Sequence, residues 1–227
     1  MIDSFYIGAY WSARAESLDN AANKSLEILL RITVIDEQFK TFYEKAISRK
    51  KALEKTVSLD YEVIKSLYLK GTKKNEIDSL GYAKMGFMLR LWTGQSDGES
   101  SGISFSIGTN STRFKNSCVI TFPYEGSRKD DLLQLNKAKL IIGLLCEICD
   151  PDYAVLNSDK LSSELCTMNE IGWITYKKQL TKKPKVSHNI IHESNYKGGH
   201  LFYLETDSGL AYDYDRIEDL KALKDSF

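Results

Sequence analysis

Phe87-Met88-Leu89-Arg90-Leu91-Trp92, then Ile103-Ser104-Phe105-Ser106-Ile107, then Val119-Ile120-Thr121-Phe122 form the stretch on which the fold class turns. Each segment is short and rich in β-branched or aromatic side chains, which predicts three strands. The middle one alternates strictly between apolar and polar residues, so one face is expected to be buried and the other wet. Gly94-Gln95-Ser96-Asp97-Gly98-Glu99-Ser100-Ser101-Gly102 separates the first two. Strand signals resume directly on both sides of this polar run, so it reads as a hairpin loop and not as a domain linker. An antiparallel meander follows.

Working outward toward the N-terminus, Ile2 to Tyr10 reads as a strand closed at or soon after Gly8. From Leu18, the positions Ala22, Leu26, Leu29, Leu30 and Thr33 share one face at a 3.6-residue period, with Glu27 and Arg31 paired outside it. This is the clearest helix in the chain. Helical spacing continues over 36–55 through Phe39, Phe42, Tyr43, Ala46 and Leu53. Asp60 is placed to cap a short helix carrying Val63, Ile64 and Leu67 and ended by Gly71. Toward the C-terminus, Asp130 or Asp131 starts a second strong helix over 132–149, stopped by Pro151. Short strands are predicted at 153–156, 171–176, 186–191 and 200–204, and a last helix at roughly Asp215 to Lys224. Helices and strands come in blocks and not in regular βαβ alternation, which predicts an α+β fold. The expected architecture is one domain over 1–227, with an antiparallel or mixed sheet packed against two long helices.

The bulk properties narrow the function. With 227 residues and 42% apolar content the chain can bury a sizeable core. Its 31 basic and 31 acidic residues cancel, so no net charge announces a nucleic-acid or membrane partner. Met1-Ile2-Asp3-Ser4-Phe5 has neither the basic start nor the apolar run of a secretory signal, and the longest apolar stretch, Leu140 to Cys146, is too short to span a bilayer. Four cysteines without an export signal read as reduced core thiols. A cytoplasmic location is expected.

Reactive constellations are few. Cys146-Glu147-Ile148-Cys149 has redox or zinc spacing, but it ends a helix, where the dipole raises a thiol pKa instead of lowering it. His188 and His192 stand too far from that pair for a compact zinc finger, and Ser187 to His192 reads as a strand carrying two exposed imidazoles on one face. All three histidines lie in one polar segment beside Lys182, Lys183 and Lys185, which argues against a nucleophilic triad. No nucleophile elbow, phosphate-binding glycine loop or dinucleotide fingerprint is present. Pro151-Asp152 lacks a following acid-x-Lys strand; the only later triplet, Asp219-Leu220-Lys221, falls in a predicted helix. No catalytic, cofactor or metal residue is assigned.

Charge is uneven locally. Residues 205–227 carry seven acids (Glu205, Asp207, Asp213, Asp215, Glu218, Asp219 and Asp225) against three basic residues. A solvated helix end accounts for this; the functional reading is an acidic face, with Asp207, Asp213, Asp215, Glu218 and Asp219 as candidate partner contacts. Between Lys40 and Lys55 six basic residues face two acidic ones, but without aromatic interleaving the segment does not favour direct nucleic-acid binding.

One block stands apart from these readings: Tyr6-x-Gly8-x-Tyr10-Trp11-x-x-Arg14-x-Glu16-Ser17, opening a long helix. It resembles the start of the immunity protein 52 family of bacterial polymorphic-toxin systems. Further points follow in the same order: Leu80-Gly81 before a strand ending in Leu91-Trp92, Pro151-Asp152-Tyr153-Ala154, Ile171-Gly172-Trp173-x-x-Tyr176, and Gly198-Gly199. The resemblance implies an α+β protein that blocks a cognate toxin by tight non-covalent binding, without catalysis or cofactor. It implies that the toxin is often a nuclease, delivered by contact-dependent or type VI secretion. Tyr10, Trp11, Arg14, Glu16, Trp173 and Tyr176 are read as structural: Trp11 and Tyr10 anchor a strand-to-helix corner, while Arg14 and Glu16, on different helix faces, find partners elsewhere. The alternatives are an intracellular enzyme with an unrecognised Cys/His site and a basic-face nucleic-acid-binding module.

Overall fold

Ser17 sets where the first helix begins. Its extended backbone and its hydroxyl, which accepts from the Asn20 amide, form an N-cap, and α1 (Leu18–Ile35) follows with Leu18, Ala21, Ala22, Ser25, Ile28, Leu29 and Ile32 buried. The preceding strand, β1 (Phe5–Trp11), runs through Gly8 and closes three residues after it. The computed structural model describes residues 3–96, 98–166, 170–182 and 184–227; the expectations placed on Ile2, Asp97 and Lys183 lie outside these.

By its internal contacts the chain forms two compact units, residues 10–120 and residues 1–9 with 121–227. In the first, Asp36 leaves helical geometry (φ −150°, ψ 134°), so the long helix ends there. The helical reading of 36–55 is therefore corrected: a 3-10 turn at Glu37–Lys40, strand β2 (Phe42–Glu44), the five-residue α2 (Arg49–Leu53) and strand β3 (Thr56–Val57) occupy it. Phe42 and Tyr43 are aromatic residues with good strand propensity, and pairing with Val57, Thr56 and Trp92 outweighed the helical spacing. Asp60 caps α3 (Tyr61–Gly71) by accepting from Glu62 and Val63. The helix lies against α1, with the Ser25 hydroxyl 2.5 Å from that of Tyr68. Next come β4 (Phe87–Trp92), β5 (Gly102–Ile107) and β6 (Asn116–Thr121), each alternating between buried and more exposed residues. The strand order is β3-β2-β4-β5-β6, and β4 and β5 pair antiparallel from Phe87↔Ile107 to Trp92↔Gly102, as the meander requires.

The second unit differs from its expected outline at a break. Instead of one helix there are α4 (Ser127–Leu132) and α5 (Leu135–Cys149), because Gln134 takes non-helical angles and the freed backbone groups pair with the 209–211 segment: Leu135 donates to Gly209, and Ala211 donates to Leu133. Asp150, left-handed at φ 49°, closes α5 before Pro151. Then follow β7 (Tyr153–Ser158), α6 (Asp159–Leu165), β8 (Ile174–Lys177), β9 (Ile190–Tyr196), β10 (Gly199–Leu204) and α7 (Ile217–Ser226). The order here is β1-β7-β8-β10-β9, and the pairs β7–β8, β8–β10 and β10–β9 are antiparallel. All six residues of β7 are buried, as a strand covered on both faces must be. The architecture is α+β as expected. Its helical part is seven α-helices among the described residues, however, and not a pair of long ones. No described helix is long and apolar enough to cross a membrane.

Candidate functional site

The C-terminal acids sit on a loop that aromatic residues hold in place. Trp173 is fully buried, and its ring meets Tyr212 at 6.0 Å and Tyr214 edge-on at 5.2 Å; Phe5 approaches Tyr212 at 4.8 Å. The Tyr214 hydroxyl donates to the Asp3 carboxylate, and the Lys160 ammonium lies 4.0 Å over the Tyr214 ring. Gly172, just before the tryptophan, passes so close to β7 that a Cβ would come within 2.1 Å of the Leu156 carbonyl oxygen. The Gly-Trp pair thus seats the 205–216 loop. Tyr176, also buried, donates to the Lys197 carbonyl at 3.3 Å and packs against Gly199, where a side chain would collide with its ring. Burial pushes the Tyr176 hydroxyl up to about 12.

Around that loop lies a cavity of about 440 Å³ lined by Glu205, Asp207, Asp213, Asp215 and Arg216. The five candidate contact residues do not act alike. Asp207 and Asp215 are exposed at its rim. Asp213 is half-buried and caps the 3-10 turn at Tyr214–Arg216 by accepting from the Asp215 amide at 3.0 Å. Glu218, in the first turn of α7, is paired with Lys221 at 2.7 Å. Asp219 is turned away from solvent: it accepts from Ser187 and Asn189, each at 2.9 Å, and pins the turn that leads into β9. As a contact residue it is therefore the weakest of the five. Tyr212 and Tyr214 escaped the sequence reading, although Tyr-x-Tyr among acids was a legible sign of an ordered loop.

The N-terminal block is a polar corner. Residues 12–16 are a connection and not the first helical turn, so Arg14 and Glu16 pair with each other (Nε to Oε1, 3.1 Å) instead of diverging. Glu16 is 5% exposed and also takes Lys24 at 2.5 Å. Trp11 is buried beneath, with the Arg14 guanidinium 5.4 Å from its ring, and Tyr10 is half-buried. Asn116 holds the corner from β6: its amide nitrogen donates to Ser12 and Thr109, and its oxygen accepts from the Thr109 amide. Beside the corner a cleft of about 920 Å³ is lined by Glu76, Tyr82, Lys84, Met85 and Arg113. Met85 is 52% exposed.

The cysteine pair ends α5 as expected, with both thiols buried and outside any disulfide. Burial, then the neighbouring Cys149, pushes the Cys146 thiol well above its usual range, the opposite of what a nucleophile needs. His188 is corrected to a turn before β9; His192, on β9, neighbours His200 and not His188. The family model described as immunity protein 52 matches residues 3–204, most of the chain. No curated protein matches. A T6SS protein of Pseudomonas aeruginosa aligns with a TM-score of 0.46 at 10% identity, over 97% of this chain and 76% of that one.

Proposed function

Because this chain belongs to the immunity protein 52 family, we propose that it neutralises a cognate secreted toxin by binding it, from the cytoplasm and without catalysis. The toxin in this reading is a nuclease, delivered by type VI or contact-dependent secretion. The family match carries the proposal, and its extension into both compact units supports reading them as one immunity domain. The docking face we favour is the rim at Asp207 and Asp215, with Asp213 and Glu218 beside them. A nuclease must present a basic cleft to nucleic acid, and exposed carboxylates on a loop locked by buried aromatics complement it while losing little entropy on binding. Asp219 supports this face from within.

A second docking face is favoured by a separate observation. Leu80, Tyr82, Met85 and Phe114 are exposed in the unit that holds the 920 Å³ cleft, and apolar side chains of this kind are enriched where proteins meet.

Co-expression with the toxin encoded beside this gene tests the proposal. Growth rescued by this chain, with a complex recovered by size-exclusion chromatography, is the expected result; toxicity unaffected by the chain would sink it. Hydrogen exchange on the complex separates the two faces: protection at 205–216 supports the acidic rim, and protection at 76–85 and 108–114 supports the cleft.

A further inference from the structure

Among the described residues, one pair of metal-binding side chains is brought together by the fold and has no part in the proposed function. His192 Nε2 lies 3.1 Å from His200 Nδ1, with ring centroids 5.3 Å apart. Eight residues separate the two in sequence, and the β9–β10 hairpin closes that gap.

The register of that hairpin decides the geometry. At the turn, Gly199 pairs with Tyr196; continued without interruption, this register would set His192 opposite Tyr203 and put His200 on the other face of the sheet. Instead the register slips by one residue between Gly199 and His200, so that His200 pairs with Ser194 and Phe202 with His192. The slip turns both imidazoles to one face as diagonal neighbours. Left-handed Asn195 and Lys197 and the positive-φ Gly198 supply the turn that makes it possible. A bulge that re-aims a side chain in this way is a common device beside functional sites. The His192 ring is held further by stacking on Phe202, at 4.3 Å and 10° between planes.

We propose that His192 and His200 form a two-imidazole site for a divalent transition ion of the zinc, nickel and copper class. Neutral imidazole is a preferred ligand for these ions, at metal-to-nitrogen distances of about 2.0–2.1 Å. Two nitrogens sharing one tetrahedral ion at that distance stand roughly 3.3–3.4 Å apart, so the pair needs to open by only a few tenths of an ångström. Water completes the coordination of this half-buried site, because no third His, Cys, Asp or Glu joins the pair among the described residues. Lys177 stands cross-strand from His200, and its ammonium lies over the rings of Tyr153 and Phe227.

The test uses the whole protein and zinc chloride. Only three histidines are present, so their imidazole resonances can be followed individually. Zinc is expected to shift or broaden His192 and His200 at one equivalent and to leave His188 unchanged. No response at millimolar zinc, or a response that includes His188, would overturn the site. By calorimetry, His192→Gln and His200→Gln are each expected to lower zinc affinity by roughly tenfold or more, while His188→Gln binds as the parent does. Equal affinity in all four proteins would count against the proposal even where the resonances move. Thermal melts without metal verify that each variant is folded.

Discussion

Removing the carboxylate of Glu16 leaves two cations facing a buried corner, and the cost depends on how much water they can recruit. Breaking a fully buried pair costs about 3–5 kcal/mol, but Arg14 and Lys24 are 35% and 25% exposed, so solvent takes over part of the interaction. Glu16→Gln is therefore expected to lower stability by about 1–2 kcal/mol in urea titration. Asn116→Ala should cost more, about 2–3 kcal/mol, because it strands the buried Thr109 amide and removes a donor from two carbonyls. An Asn116 variant as stable as the parent would refute its role as the clamp. Nothing in the sequence around Asn116 marks it, since its partners lie 7 and 104 residues away. Trp11 and Trp173, by contrast, stand out as large apolar residues in unusual company, and both are buried.

Elements are held by their ends and by clamps between them. Asp60 accepts two amides at the start of α3, so Asp60→Ala is expected to cost about 1 kcal/mol and to speed amide exchange over 61–64. Between α5 and the β9–β10 hairpin, Glu193 accepts from both Lys139 and Tyr203. Partial burial works against the Glu193 charge, but these two donors outweigh it and hold its carboxyl below the ordinary 4.5. A carboxyl lowered on folding stabilises the fold fully above its unfolded value and loses that contribution as pH falls through the lowered one. Stability should therefore decline with acidification below about 4.5 in the parent, and less steeply in Glu193→Gln; parallel curves in chemical denaturation would show that the clamp does not matter. The helix start at Asp60 was legible because capping is local chemistry, whereas that of α1 at Ser17 was read too early, with Arg14 and Glu16 placed on helix faces. The split between α4 and α5 was not legible, because the groups that pair with the broken turn come from residues 209–211.

On the scale of the whole molecule the net charge is zero, so long-range steering of a partner must come from local patches. Association with the toxin is expected to slow as salt rises, and the combined variant Asp207→Asn, Asp215→Asn should flatten that dependence with little loss of stability. Asp219→Asn should do the reverse, destabilising the turn at Ser187 and Asn189 while leaving the salt slope in place. Stopped-flow binding and thermal melts read the two effects separately. By itself the sequence determined the α+β class, the central meander, α1 and α3, and, through its spaced aromatic and glycine motifs, the family. These depend on periodicity, caps and turn residues acting over a few positions. Only the tertiary structure decided that 36–55 breaks into strands, that Asp219 faces inward while Asp207 and Asp215 face out, and that His192 meets His200. Each of these outcomes turns on partners distant in sequence or on a one-residue slip of register, and no local pattern records either.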